Sequence, residues 1–225
     1  MATIVLIDYS TSFYLYLWLF NAVSGMILLV SLKSAQWRHL IEVPLRQHLV
    51  LGCSALVSIM WLMKFQVISN IYLHPIAIGC VALMIGFRFA LIAGAIANFI
   101  FLMVTDLSLL NFGAHWLINV VFPALFIVLL NHWVHKKHPS NLFFYTLGIG
   151  FLGSALTVPI VVLLSFALLV MSGNLANQTN MDWQSQWLLL AMFPEAFING
   201  AIVSSITVFY PEWMKTFDED YFLSK

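Results

Sequence analysis

Three side chains in a highly apolar sequence have the chemistry of metal ligands. They are His74, in the stretch IYLHPIAIG, His115, in NFGAHW, and Glu195, in PEAFING. Two imidazoles and a carboxylate form a ligand set for a divalent transition ion such as nickel, cobalt, zinc or copper. Each also has a structural alternative. A histidine before a proline can sit in the headgroup layer bonded to a loop carbonyl, and a buried glutamate can serve backbone donors. Glu195 weighs most, because a carboxylate near the centre of a membrane helix costs on the order of 3 kcal/mol and has to face inward to a partner. The two cysteines, Cys53 and Cys80, lie in apolar runs without a CxxC or zinc spacing and read as packing residues. Met84 and Met192 would be soft copper ligands but read as core or lipid-facing. His132, His135 and His138 stand at i, i+3 and i+6 beside Lys136 and Lys137, a cationic setting that disfavours a metal and suits a cytoplasmic anchor.

The elements that position these residues follow from composition. Apolar residues make up 62% of the 225-residue chain and charged residues 8%, against about 25% charged in soluble domains. Zero formal net charge gives no hint of a nucleic-acid partner. In hydrocarbon the backbone groups have to be satisfied within each segment, so the apolar runs are helices. The expected fold is an all-α integral membrane bundle of about seven transmembrane helices, with 1–225 forming a single polytopic domain. The runs cover residues 13–32, 49–63, 75–87, 89–105, 116–130, 142–171 and 187–210. The third meets Arg88 after thirteen residues and is short, so a tilted or half-length helix is expected. Pro159 is expected to kink the sixth. The start MATIVLIDYSTSF has no basic region and no cleavage pattern, so it is expected to be retained.

Seven crossings sort eight of the nine basic residues to one side, leaving only Lys64 on the other. The positive-inside rule makes that side cytoplasmic, which places the N-terminus outside and the C-terminus inside. His74, His115 and Glu195 then all fall in the outer half of the bilayer, Glu195 about 12 Å below the outer end of its helix. Small residues at helix-contact spacing, Ala90 with Gly94 and the GIGFLGSA stretch from Gly148 to Ala155, allow close helix packing.

Three stretches carry a resemblance to a known family. LHPIAIGCVALMIGFRFALIAGAIANFIF is similar to the His-Pro, glycine-containing third and fourth spans of CbiM-like proteins, the substrate-binding membrane components of cobalt and nickel energy-coupling factor transporters. LSLLNFGAHWLINVVFPAL resembles the segment leading into the family's fifth helix, and PEAFINGAIVSSITVFYPEWM its last helix. The similarity covers about residues 70–214 and is weaker over the first two helices. It implies a seven-helix bundle with the N-terminus outside, in the bacterial inner membrane. It also implies coupling through a transmembrane subunit to cytoplasmic ATPase subunits. His74 takes the place of the family's metal-binding histidine. Three positions depart from the pattern. Ala2 stands where the family has histidine, His115 where it has the Asn of Gly-Ala-Asn, and Asn199-Gly200 where it has Glu-Gly. A site rebuilt from His74, His115 and Glu195, and loss of metal binding, are both open on these residues.

The leading expectation is therefore substrate capture for an energy-coupling factor importer, with a divalent transition-metal ion as substrate and no enzyme activity of the chain's own. No nucleotide-binding, HExxH or nucleophile motif is present. The alternatives are a membrane redox enzyme that binds metal or haem through the histidines, and a non-transporting scaffold that has lost the site.

Overall fold

The computed structural model describes residues 3–4, 11–68, 71–137, 141–172 and 181–217. Among them six helices are long and apolar enough to cross a membrane, over Phe13–Ser34, Pro44–Leu62, Phe87–Val104, Leu109–Lys137, Phe144–Met171 and Leu190–Phe209. In chain order the helices are α1 (Thr11–Ser34), α2 (Trp37–Glu42), α3 (Pro44–Leu62), α4 (Ile78–Ile85), α5 (Phe87–Val104), α6 (Phe112–Trp116), α7 (Phe122–Lys137), α8 (Ser154–Met171) and α9 (Met181–Phe209). Leu117–Val121 and Phe144–Gly153 continue the fifth and sixth runs as π-helical turns, so the irregularity of the sixth run begins upstream of Pro159.

The third apolar run departs most from a simple span. It contains only the eight residues of α4, about 12 Å of helix. Pro75 has no N–H and biases His74 toward extended backbone. Ala77 then takes a left-handed conformation, φ 54°, and Gly86 closes the far end at φ 82°. All eight residues of α4 are buried, and α3, α5, α7, α8 and α9 pack around it. The bundle is thus built about an eight-residue helix. Its outer surface suits lipid: Leu15, Trp18, Met26, Leu163 and Phe193 are exposed, whereas α4 is wrapped on every side.

The ends of the bundle differ in charge. At the C-terminal end of α4, Lys215 and Thr216 donate their amide N–H groups to the carbonyls of Met84 and Leu83. Those carbonyls would otherwise be unpaired at a helix end. Thr216 also bonds Leu83 through its hydroxyl and meets the Tyr145 hydroxyl at 2.7 Å. Lys215 reaches Gln36, Arg46 reaches the Glu212 carbonyl, and Arg88 lies near Lys215, so basic residues of three segments gather here. Burial together with Arg46 and Arg88 lowers the pKa of the Lys215 ammonium. At the other end, Lys64 lies over the Phe101 ring. Partial burial lowers its pKa and nearby Asp106 raises it.

A three-stranded antiparallel sheet, absent from the all-α expectation, sits beside His74. Its order is β1 (Thr3–Ile4), β3 (Ile71–Leu73), β2 (Phe65–Ile68), with Thr3 opposite Tyr72 and Phe65 opposite Leu73. The sequences FQVI and IYL are rich in β-branched and aromatic residue types, which are enriched in strands. The strand β3 feeds directly into His74.

Candidate metal centre

The stretch from His74 to Cys80 is non-helical backbone followed by a helix start, deep inside a membrane protein. Such backbone is tolerated there only when protein groups satisfy it. Its hydrogen bonds can be followed group by group. The Pro75 carbonyl accepts from His74 Nδ1 at 3.1 Å. The Ile76 and Ala77 amides donate to the two carboxylate oxygens of Glu195, each at 2.8 Å. Trp61 Nε1–H donates to the Ile76 carbonyl at 3.1 Å. Asn199 accepts from the Cys80 amide and donates to both the carboxylate and the main-chain carbonyl of Glu195. Glu195 and Asn199, one turn apart on α9 and both buried, thus cap α4 from a different helix, in the manner of an N-cap carboxylate.

His115 is held as firmly. It lies on α6, and its Nδ1 hydrogen-bonds Asn98 Oδ1 from α5. Asn98 also donates through Nδ2 to the Phe112 carbonyl at 3.1 Å, and Asn119 donates to the carbonyl of His115 itself. The segment before it is clasped by α1. Asn21 bonds the Leu110 carbonyl and the Gly113 amide, and Ser24 bonds the Gly113 carbonyl. Gly113 is required by this approach: a Cβ there would stand 2.6 Å from the backbone of Phe20 and Asn21.

The two imidazoles meet inside the bundle. Their ring centres are 6.3 Å apart with planes 32° from parallel. Trp61 and Phe101 complete an aromatic box. Trp61 lies 4.9 Å from the His74 ring and 5.5 Å from the His115 ring, and Phe101 lies 5.4 Å and 5.1 Å from the same rings. His74 is fully buried and His115 is 7% exposed. A carbonyl oxygen can only accept, so Nδ1 of His74 carries a proton. The same argument applied to Asn98 Oδ1 leaves the His115 lone pair on Nε2. That Nε2 is buried and has no hydrogen-bond partner among the described residues. With metal–nitrogen bonds of about 2.0–2.1 Å, two imidazoles on one ion have ring centres at most about 6.5 Å apart. The observed separation is inside that limit.

His74 and His115 are therefore brought together, while Glu195 joins them through the backbone, at the residues two and three after His74. Among the described residues no three His, Cys, Asp or Glu side chains gather as a ready ligand set. Sequence reasoning missed Trp61, Phe101 and Asn98. Asn98 carried a signal, as the one amide in an otherwise apolar span, and polar residues in such spans face partners.

These features define a class: a polytopic membrane protein with a buried imidazole pair and a broken helix at its centre, capped by a carboxylate and an amide from another helix. The model of the CbiM family, described as the cobalt uptake substrate-specific transmembrane region, matches residues 15–213. The chain belongs to this family, whose members are substrate-specific membrane components of cobalt uptake and not enzymes. No curated protein and no solved structure matches the chain.

Proposed function

We propose that this chain captures a divalent transition-metal ion at the outer side of the bacterial inner membrane, as the substrate component of an energy-coupling factor importer. His74 and His115 bind the ion through Nε2. Glu195 contributes negative charge and holds the break at Ile76 and Ala77 that presents His74. The observation that carries the reading is the buried Nε2 of His115, without a hydrogen-bond partner among the described residues, on a ring whose centre lies 6.3 Å from that of a second imidazole. A buried nitrogen without a partner is unfavourable unless something binds it. Family membership favours cobalt among the candidate ions, with nickel, zinc and copper as competitors.

The topology in this proposal has seven crossings with the N-terminus outside and the C-terminus cytoplasmic. In this reading the non-helical residues 74–77, with Ala77 turned left-handed, and the eight-residue α4, about 12 Å of helix, carry the chain across the core of the bundle. The broken segment thus serves as the third crossing, with the metal ligands at its outer end and the basic cluster of Arg46, Arg88 and Lys215 at its inner end. Energy comes from a transmembrane coupling subunit and cytoplasmic ATPase subunits.

The test is Co²⁺ binding by the purified full-length chain in detergent. The proposal predicts about one ion per chain, with His74→Ala and His115→Ala each reducing affinity at least tenfold and His39→Ala, an exposed cytoplasmic change, leaving it unchanged. Undiminished Co²⁺ binding in both site variants would overturn it.

A further inference from the structure

Asn98 is a fully buried amide on α5, one helix before the residues it serves on α6. Its orientation is fixed by its neighbours. Nδ2 faces the Phe112 carbonyl, which can only accept, so Oδ1 is the atom that faces His115 Nδ1. An acceptor at Nδ1 draws the single proton of a neutral imidazole to that nitrogen. The lone pair is then left on Nε2, which is buried and has no hydrogen-bond partner among the described residues. The opposite tautomer would set a ring lone pair against an amide oxygen and turn an N–H donor toward the place of the ion. Outer contacts of this kind orient ligating histidines and commonly account for 10–100-fold in metal affinity.

We propose that Asn98 is a positioning residue for metal capture: it fixes the tautomer and ring plane of His115 so that Nε2 is the ligand. This rests on the assignment of His115 as a ligand. Asn98 has two bonds, and only one of them concerns the tautomer. The other ties α5 to the start of α6 through Phe112 and is purely structural. Two substitutions separate them. Asn98→Asp keeps an acceptor for His115 Nδ1–H and loses the donor to Phe112. Asn98→Leu loses both and keeps the approximate volume.

The experiment measures Co²⁺ affinity of the full-length chain in detergent for wild type, Asn98→Asp and Asn98→Leu, together with the histidine ¹⁵N spectrum of metal-free wild type. The His115 signals are assigned by their loss in His115→Gln. The expected result is a 10–100-fold weaker affinity in Asn98→Leu, recovery to within a few-fold of wild type in Asn98→Asp, and a wild-type His115 spectrum with the proton on Nδ1. Equal weakening in both variants would overturn the proposal, because the Phe112 bond would then be the one that matters. A wild-type spectrum with the proton on Nε2 would overturn it without any variant, so it stays testable if Asn98→Leu does not fold. Co²⁺ binding that survives His115→Gln would instead remove the ligand assignment beneath it.

Discussion

Removal of the Glu195 carboxylate is the perturbation for which the structure gives the most definite magnitude. Two main-chain donors, the amides of Ile76 and Ala77, end on its oxygens. Asn199 loses one of its contacts but keeps the carbonyl of residue 195. In Glu195→Ala both amides are left in a site that is only 1% exposed at Glu195 itself. An unmet buried donor costs about 1–3 kcal/mol, so the pair costs about 2–6 kcal/mol. Glu195→Gln keeps one acceptor oxygen. That oxygen can serve one amide, while the new NH₂ group faces the other, giving one unmet donor and a loss of about 1–3 kcal/mol. The predicted order is wild type, then Gln, then Ala. The effect is local to the start of α4, so His74 loses its placement and Co²⁺ affinity falls in the same order. Equilibrium unfolding of the purified chain in mixed micelles, followed by helical circular dichroism, measures the first effect, and Co²⁺ titration the second. A Glu195→Ala protein within about 1 kcal/mol of wild type would refute the argument, because the carboxylate would then not be what satisfies the break.

Two further substitutions follow from backbone geometry. Gly113→Ala places a methyl group 2.6 Å from the α1 backbone, where neither partner is a flexible side-chain tip. A loss of about 1–3 kcal/mol from forced overpacking is expected, together with weaker Co²⁺ binding, because His115 stands two residues on. Unfolding and Co²⁺ titration of the variant check both effects. Gly86→Ala forces a side chain to φ 82°, a region nearly restricted to glycine, with the Lys215 Cδ 2.8 Å from the new Cβ. The expected loss is about 1–3 kcal/mol of stability, read by the same unfolding assay, with Co²⁺ affinity preserved because the change lies at the opposite end of α4 from His74.

The helices were legible because hydrocarbon leaves an apolar run no alternative but internal hydrogen bonding. Residues 13–32 and 89–105 became α1 and α5 with shifts of two residues or fewer at each end. The second run begins five residues earlier than its apolar stretch, at Pro44, since proline suits a first helical turn and Arg46, Gln47 and His48 can sit at a polar boundary. The shortness of the third run was visible in the spacing of Pro75 and Arg88. Its cause was not, because the left-handed turn at Ala77 is written in no local glycine. It depends on Glu195, which lies 118 positions away from Ala77 in the chain. The convergence of His74 and His115 was readable only as a shared depth. Depth follows from counting residues along each helix, whereas the direction in which a ring points follows from which helices pack. Trp61, Phe101 and Asn98 settle that direction here, and two of these three looked like ordinary apolar lining. The small sheet escaped notice because FQVI and IYL are short, and short apolar segments read equally as helix ends.

Cobalt K-edge X-ray absorption of the Co²⁺-loaded full-length chain is the most direct measurement of the central claim, that two imidazoles bind one ion. The account predicts outer-shell scattering from two imidazole rings in wild type and from one ring in either His74→Ala or His115→Ala. A wild-type spectrum without imidazole scattering, or one unchanged when both histidines are replaced, would contradict it.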